Sequence, residues 1–158
     1  MPGDINIRPA IREDAEIIEQ LGLEFDRYLR SLGDSNPDFF NADTFLRDGF
    51  GPGASFSGIV AEIDGKVVGY LLYHHGYDLD HGGRILYLVD LYVRESVRRK
   101  GIGRALMESA AEVCRKAGGK KLIWAVYNPN ELAFSFYESL GAQRLSSMTY
   151  MEWKVKDS

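Results

Sequence analysis

Apolar residues follow two spacings along the chain, one typical of helices and one typical of strands. Helical spacing predicts helices over Glu13–Leu32, Ala42–Asp48, the segment between Gly103 and Gly118, and Glu131–Leu140. Alternating or short continuous apolar runs predict strands over Ile5–Ile7, Gly58–Ile63, Lys66–His74, Arg84–Val93, Lys121–Tyr127 and Arg144–Lys154. The elements together indicate an α/β (α+β) fold in one domain, residues 1–158.

Turn residues indicate how these elements connect. Asp64-Gly65 predicts a tight hairpin, because both turn positions tolerate positive φ. Asp34–Phe40 is expected to be a loop, and His75–Gly83 a glycine-bounded polar loop. The strand, helix and strand after residue 84 should form a right-handed crossover, which makes those two strands parallel. The predicted order is an antiparallel meander, one parallel crossover, a helix and a terminal strand.

The stretch from Leu86 to Cys114 carries the clearest chemical signal. An apolar strand runs into the basic loop Arg98-Arg99-Lys100-Gly101-Ile102-Gly103, and a helix follows. The first N–H groups of a helix have no partners within it and lie at the positive end of its dipole. With Arg104 adding to the nearby positive charge, the sequence predicts an anion site here, although a well-capped helix start with solvated cations is the simpler alternative.

The spacing of this loop disfavours two common nucleotide sites. No Gly-Lys-Ser/Thr follows four residues after a first glycine, so the loop is not of the Walker type. Leu106 stands where a dinucleotide-binding loop needs its third glycine. ATP and NAD are therefore weak interpretations.

Composition limits the other classes of function. The net charge of −4 does not suggest a nucleic-acid partner, and a basic loop in an acidic chain fits a small anion better than a polymer. The one cysteine, Cys114, lies on an apolar helical stripe and is expected to be core. The N-terminus lacks the apolar run of a signal peptide, and no segment reaches the length of a membrane span, so we expect a cytoplasmic protein with no membrane partner.

Two motifs resemble the GNAT acetyltransferase superfamily over nearly the full length of the chain. The loop Arg98-x-x-Gly101-x-Gly103 after Leu91-Tyr92-Val93 resembles its acetyl-CoA pyrophosphate loop. The run from Asn130 through Tyr137 to Leu140-Gly141-Ala142 resembles its second signature. Shorter runs are similar to the spermidine/spermine and thialysine N-acetyltransferase branch: Ile7-Arg8-Pro9-Ala10, Asp48-Gly49-Phe50-Gly51, Val60-Ala61-Glu62 and Tyr87–Val93.

The resemblance implies a GNAT fold, acetyl-CoA as co-substrate, a homodimer, and transfer of an acetyl group to a small primary amine such as a polyamine, a diamine or a lysine-like compound. No metal is expected, because the sequence has no ligand set with the spacing of a tight site. It implies a cofactor site formed by Leu91, Tyr92, Val93, Arg98, Arg99, Lys100, Gly101, Ile102, Gly103, Arg104, Asn130 and Ala133. It implies substrate contacts from Tyr28, Asp90 and Trp124, although aromatic residues at such positions are more often core. Val89 stands where the branch commonly has a glutamate that contacts the polyamine.

Two residues are the candidates for proton chemistry. By resemblance, the Tyr137 hydroxyl points at the thioester sulfur and serves as general acid. Asp90 is a carboxylate in an otherwise apolar strand, so it either binds the amine or relays its proton, or it is satisfied by a tyrosine or a backbone amide. Asn130 is equally well explained as a helix cap.

Three alternatives remain at this point. The segment His74-His75-x-x-Asp78-x-Asp80-His81 contains metal-ligand residue types but lacks the spacing of a tight structural site. Within enzymes, a protein or peptide amine is the rival acceptor. Outside enzymes, the rival is a CoA-binding sensor module in which Tyr137 would be dispensable.

Overall fold

The computed structural model describes residues 3–36, 40–80 and 82–157. Its strands are β1 (Ile5–Pro9), β2 (Ser57–Ile63), β3 (Lys66–Asp78), β4 (Gly83–Val93) and β5 (Lys121–Trp124). Its helices are α1 (Ala15–Ser31), α2 (Ala42–Gly49), α3 (Ile102–Lys116) and α4 (Glu131–Ser139). Parts of the two predicted loops, residues 37–39 and 81, lie outside the described residues.

The strands form one sheet in chain order, β1-β2-β3-β4-β5. The first three pairings are antiparallel and the β4–β5 pairing is parallel, with α3 as the crossover. This arrangement confirms the predicted mixed, mostly antiparallel sheet. The Asp64-Gly65 hairpin is also confirmed, since both residues have positive φ.

Each face of the sheet is covered by different helices. Ile102, Leu106, Ala110 and Cys114 recur every four residues on α3 and pack on one face. On the other face, α1 and α2 bury Ile18, Leu21 and Phe45 against β2, β3 and β4. Cys114 is buried in the first of these two cores, as its place on the apolar stripe predicted.

The predicted polar loop over His75–Gly83 is mostly strand. β3 continues to Asp78 and β4 begins at Gly83, and their pairing includes His75 with Leu86 and Tyr77 with Arg84. The polar side chains suggested a loop, but cross-strand pairing satisfies the backbone of this segment whatever its side chains are. Of the described residues in this segment, only 79, 80 and 82 lie outside the two strands.

The predicted terminal strand over Arg144–Lys154 was wrong. The described residues from 142 to 157 contain no strand, and β5 ends at Trp124 rather than Tyr127. The alternation of apolar residues favours an extended backbone, but a strand also needs a neighbour to pair its N–H and C=O groups. No such neighbour lies beside this segment within the described chain.

A partly buried ion pair between Arg8 and Asp14 connects β1 to the start of α1. Arg8 donates two hydrogen bonds of 2.9 Å to the buried carboxylate of Asp14, which also accepts one from the Ile11 N–H. Burial by itself raises the pKa of Asp14, but the hydrogen bonds from Arg8 and Ile11 and the charge of Arg8 outweigh it and hold this pKa below its usual value.

We expect Asp14→Asn to lower the free energy of unfolding at pH 7 by about 2 kcal/mol, the scale of a charge-assisted hydrogen bond. Because the folded-state pKa lies below the unfolded value of about 3.9, the contribution is present above about pH 4 and is lost as the pH falls through the folded-state pKa. Urea unfolding at pH 7 and at about pH 3 measures this. The control is Asp48→Asn, which breaks the exposed Arg47–Asp48 pair and should leave stability unchanged. An Asp14→Asn effect as large at the lower pH as at pH 7 would contradict the assignment.

Candidate functional site

A cavity of about 800 Å³ opens where β4 and β5 separate. The parallel pairing runs from Ile85–Lys121 to Leu88–Trp124 and stops there, while β4 continues to Val93. Residues 89–93 therefore present a strand edge to the cavity instead of to β5. The other walls are formed by α1, the loop before α3 and the first turn of α3, residues 124–127, and α4.

A β-bulge at Val89 coincides with this separation. The pairing with β3 jumps from Leu72–Asp90 to Tyr73–Leu88, which leaves Val89 as the extra residue. Before the bulge, Leu86 and Leu88 pack in the α3 core; after it, Leu91 and Val93 pack there. The inserted residue thus shifts the alternation by one position and places Asp90 on the face that α1 covers.

The bulge brings Asp90 to the cavity next to a fully buried tyrosine. The Tyr70 hydroxyl donates to Asp90 Oδ2 at 2.6 Å, and the Leu91 N–H donates to Oδ1 at 3.1 Å. A tyrosine and a backbone amide were the two expected structural partners of Asp90, and both are present. The Asp90 carboxylate also lines the cavity. Val89, half of whose surface is exposed, lines the cavity beside it.

Tyr137 lies on the opposite wall, on α4. Its ring centroid is 4.8 Å from that of Trp124, the last residue of β5. Burial, with a smaller effect from the negative charge of Asp90, raises the pKa of the Tyr137 hydroxyl. The phenol therefore keeps its proton through the neutral and mildly alkaline range.

The basic loop enters α3 as the anion-site prediction requires. Gly101 is the N-cap residue and has φ of 81°, a left-handed conformation that costs glycine little. Arg99 also has positive φ, 67°. Gly103 lies so close to α4 that an added Cβ would be 2.9 Å from the Phe136 ring. Gly103, the second glycine of the loop, is thus needed for the packing of α3 against α4.

The predicted site residues lie together, with one exception. The residues that line the cavity are Tyr28, Asp90, Leu91, Tyr92, Val93, Arg98, Arg99, Gly101, Ile102, Gly103, Arg104, Trp124, Asn130, Ala133 and Tyr137. Lys100 is exposed and lies outside this lining. The predicted residues that line the cavity lie close together in the structure, and the roles assigned to them stay predictions.

Two of the loop arginines have partners that limit their freedom. Arg98 Nε donates to the Val93 carbonyl at 2.8 Å, and its guanidinium lies 5.3 Å from the centre of the Tyr92 ring. Arg104 Nε donates to Glu108 at 3.2 Å. Arg98 is therefore held at the end of the exposed β4 edge.

Asn130 links α1 to α4. Its Oδ1 accepts from the Ala133 N–H at 3.2 Å, which makes it the cap of α4, and from the Tyr28 hydroxyl at the same distance. The cap explanation of Asn130 therefore holds, and Tyr28 is both a cavity residue and a structural contact.

A second link between α1 and the cavity was not predicted. Glu24 accepts from Arg94 at 2.9 Å and from the Tyr92 hydroxyl at 3.2 Å, and the Phe25 ring stacks on Tyr92. These groups are about 70 positions apart in the chain, so no local pattern signals the contact. Unpredicted lining residues also include Phe25, Leu29, Glu95, Val126, Tyr127 and Phe136.

The histidine-containing segment was also considered as a metal site. Within the described chain, which omits His81, no group of three or more His, Cys, Asp or Glu side chains is arranged to hold a metal ion. His74 instead stacks on Tyr87 with ring centroids 5.1 Å apart.

None of the described helices is both long and apolar enough to span a membrane.

The chain is similar in sequence and in fold to several known proteins. The chain is 39% identical over 107 residues to thialysine N-epsilon-acetyltransferase of Bos taurus, covering 63% of this chain and 62% of that protein. It is 33% identical over 92 residues to L-ornithine N5-acetyltransferase NATA1 of Arabidopsis thaliana, covering 58% of this chain and 38% of that one. The chain thus spans less than two thirds of the length of these curated relatives.

The fold is shared with a solved integron cassette protein of V. cholerae, VCH_CASS6, with a TM-score of 0.77 at 24% identity over 96% of this chain and 93% of that one. The relatives confirm the resemblance to the thialysine and spermidine/spermine acetyltransferase branch. Residues 20–142 match the Acetyltransferase (GNAT) family. Because this match covers well over half of the chain, the protein belongs to the GNAT acetyltransferase family.

Proposed function

We propose that the protein is an N-acetyltransferase that uses acetyl-CoA to acetylate a primary amine of a small molecule, either a polyamine, a diamine or a lysine- or thialysine-like compound. The observation that carries this proposal is one cavity that combines a helix start with arginines around it, an unpaired strand edge, a carboxylate and a protonated phenol. The relatives named for thialysine and L-ornithine acetylation support a small amine as acceptor.

The start of α3 fits the diphosphate of acetyl-CoA. Backbone N–H groups between Arg99 and Gly103 lie at the positive end of the helix, and Arg98, Arg99 and Arg104 line the same cavity. A phosphate chain gains charge-assisted hydrogen bonds there. Acetyl-CoA supplies the acetyl group as a thioester.

The exposed edge of β4 fits the amide groups of the pantetheine arm. Residues 89–93 no longer pair with β5, so their backbone groups on that side can bind an extended amide chain as a further strand would. Arg98 already occupies the Val93 carbonyl. The Leu91 N–H already donates to Asp90, so we assign the pairing to the remaining backbone groups of residues 89–93 on that side.

Asp90 lies at the cavity and is held by two hydrogen bonds, so its carboxylate is suited to bind the amine substrate. An alkylamine is mostly protonated at neutral pH and attacks only after it loses a proton. The Asp90 carboxylate, held by Tyr70 and the Leu91 N–H, attracts the ammonium group and directs its proton towards water. Val89 supplies an apolar surface beside Asp90, at the position where the related branch commonly has a glutamate.

Tyr137 is suited to protonate the departing thiolate. Its pKa is raised by burial and by Asp90, so the hydroxyl carries a proton to donate at working pH. Trp124 packs against its ring and restricts its orientation. An acid held in one orientation protonates the sulfur as the thiolate charge develops.

The remaining parts of the proposal rest on resemblance and composition. We assign the protein to the cytoplasm as a homodimer, and the net charge of −4 does not suggest a nucleic-acid partner. We propose no membrane partner for this protein.

Thiol release from acetyl-CoA tests the function directly. We expect amine-dependent release with at least one of putrescine, spermidine, thialysine, ornithine and lysine, and loss of most of that activity in Asp90→Asn. Release that depends on peptide amines alone would assign a protein acceptor. CoA binding without release for any amine would identify a sensor module and overturn the enzymatic proposal.

Tyr137→Phe should lower kcat by roughly 10²–10⁴-fold with little change in CoA affinity, the range for loss of a general acid. The matched control is Tyr77→Phe, which removes the same hydroxyl from an exposed residue outside the cavity lining. Because the pKa of Tyr137 is raised, the wild type should show no loss of kcat from Tyr137 ionisation below about pH 10. An unchanged kcat in an assay limited by chemistry would remove Tyr137 from the mechanism.

Gly101→Ala should weaken CoA binding about tenfold, because a Cβ disfavours the left-handed backbone that opens the helix start. Gly118→Ala is the control, since Gly118 has nearly the same φ, 83° against 81°, and follows the other end of α3. Both variants should lose about 1 kcal/mol of stability. Calorimetric titration with CoA separates them, and equal affinities for the two variants would show that the loop geometry does not bind the ligand.

A further inference from the structure

Tyr70 places a hydroxyl group in a core that could be filled without one. The residue lies on β3, its side chain is fully buried, and it belongs to the core that α1 and α2 cover. Phenylalanine has nearly the same shape and would fill the same space without a polar atom. Burying a hydroxyl costs free energy unless it is hydrogen-bonded, so a buried tyrosine is informative through the group that its hydroxyl binds.

The Tyr70 hydroxyl binds the carboxylate of Asp90, and the register of the sheet explains how the two groups meet. Tyr70 pairs with Tyr92 across the β3–β4 ladder, so Asp90, two residues before Tyr92, is its diagonal neighbour. Diagonal neighbours on one face of a sheet are within reach of an aromatic side chain. Because the bulge at Val89 places Asp90 on the same face as Tyr70, the hydroxyl donates to Asp90 Oδ2 at 2.6 Å.

Helix α1 lies directly over this hydroxyl. A Cβ added at Gly22, near the middle of α1, would be 3.8 Å from the Tyr70 hydroxyl oxygen. The backbone of α1 therefore covers the hydroxyl on that side. A hydrogen bond shielded from water is stronger than an exposed one, and dense packing restricts the orientation of the ring that carries the donor.

The carboxylate of Asp90 is consequently held at both of its oxygens. Oδ2 accepts from Tyr70, and Oδ1 accepts from the Leu91 N–H. A carboxylate has about four acceptor sites, so these two hydrogen bonds restrict its orientation without preventing it from binding an ammonium group. Asp90 lines the cavity, and Tyr70 lies outside this lining in the described chain. Tyr70 is thus placed to affect a bound amine through Asp90 rather than by contact.

We infer, on the basis of the proposed function, that Tyr70 is a positioning residue, which holds the Asp90 carboxylate in the orientation that binds the acceptor amine. Without the hydroxyl, the carboxylate could rotate about its side-chain bonds. Small displacements of a group that contacts the reacting atoms lower reaction rates strongly. A hydroxyl with a structural role alone would contribute to stability and would leave the kinetics of acetyl transfer unchanged.

Tyr70→Phe tests the inference, because it removes the hydroxyl and keeps the ring in the core. We expect kcat/KM for the best amine to fall by about 10- to 100-fold, while the dissociation constant of CoA, measured by calorimetry, stays unchanged. The matched control is Tyr73→Phe, which removes a hydroxyl from the same strand outside the cavity lining and should leave both values unchanged. Asp14→Asn, which weakens a buried ion pair, should lower stability and likewise leave both values unchanged.

A double-mutant cycle with Asp90→Ala tests whether Tyr70 acts through Asp90. In the Asp90→Ala background the hydroxyl has no carboxylate to hold, so adding Tyr70→Phe should change the remaining kcat/KM by less than about twofold. An equal effect of Tyr70→Phe in both backgrounds, an unchanged kcat/KM in the single variant, or a matching loss of CoA affinity would overturn the inference while acetyl transfer by the wild type stands. A wild type that releases no thiol with any amine would overturn the proposed function and this inference together.

Discussion

The separation of β4 from β5 at the Val89 bulge is the constraint on which the site depends. A regular parallel pair would continue to share hydrogen bonds past Leu88 and Trp124, and no cavity would form. The extra residue shifts the alternation of β4 and places Asp90 on the face covered by α1, at the point where the pairing with β5 stops. The carboxylate and the unpaired edge over residues 89–93 therefore lie together at the cavity.

The walls of the cavity are joined by contacts that are distant in the chain. Tyr28 connects α1 to the cap of α4, and Glu24 connects α1 to Tyr92 and Arg94 at the end of β4. Asp90 and Tyr137 also affect each other electrostatically, since the carboxylate favours the protonated phenol. Burial is the larger cause of the raised pKa of Tyr137, and the charge that is proposed to attract the amine adds to it.

The shortness of the last strand leaves room for the cavity. β5 pairs with β4 over four residues and ends at Trp124, whereas β4 continues to Val93. The space beyond the end of β5 is large enough for a small ligand.

Local patterns determined much of this molecule. The four-residue spacing on α3, the Asp64-Gly65 turn and the glycines around Ile102 depend on near neighbours in the chain, and the structure has them where the sequence predicts them. The residues that the family motifs marked as site residues line one cavity in the structure, apart from Lys100. Tertiary structure decided the rest: the continuation of β3 and β4 through a polar segment, the absence of a strand at Arg144–Lys154, and the Tyr70–Asp90 and Glu24–Arg94 contacts. The physical reason is that a strand exists only where another strand satisfies its backbone, and a buried charge is stable only beside a partner, and both kinds of partner lie far away along the chain.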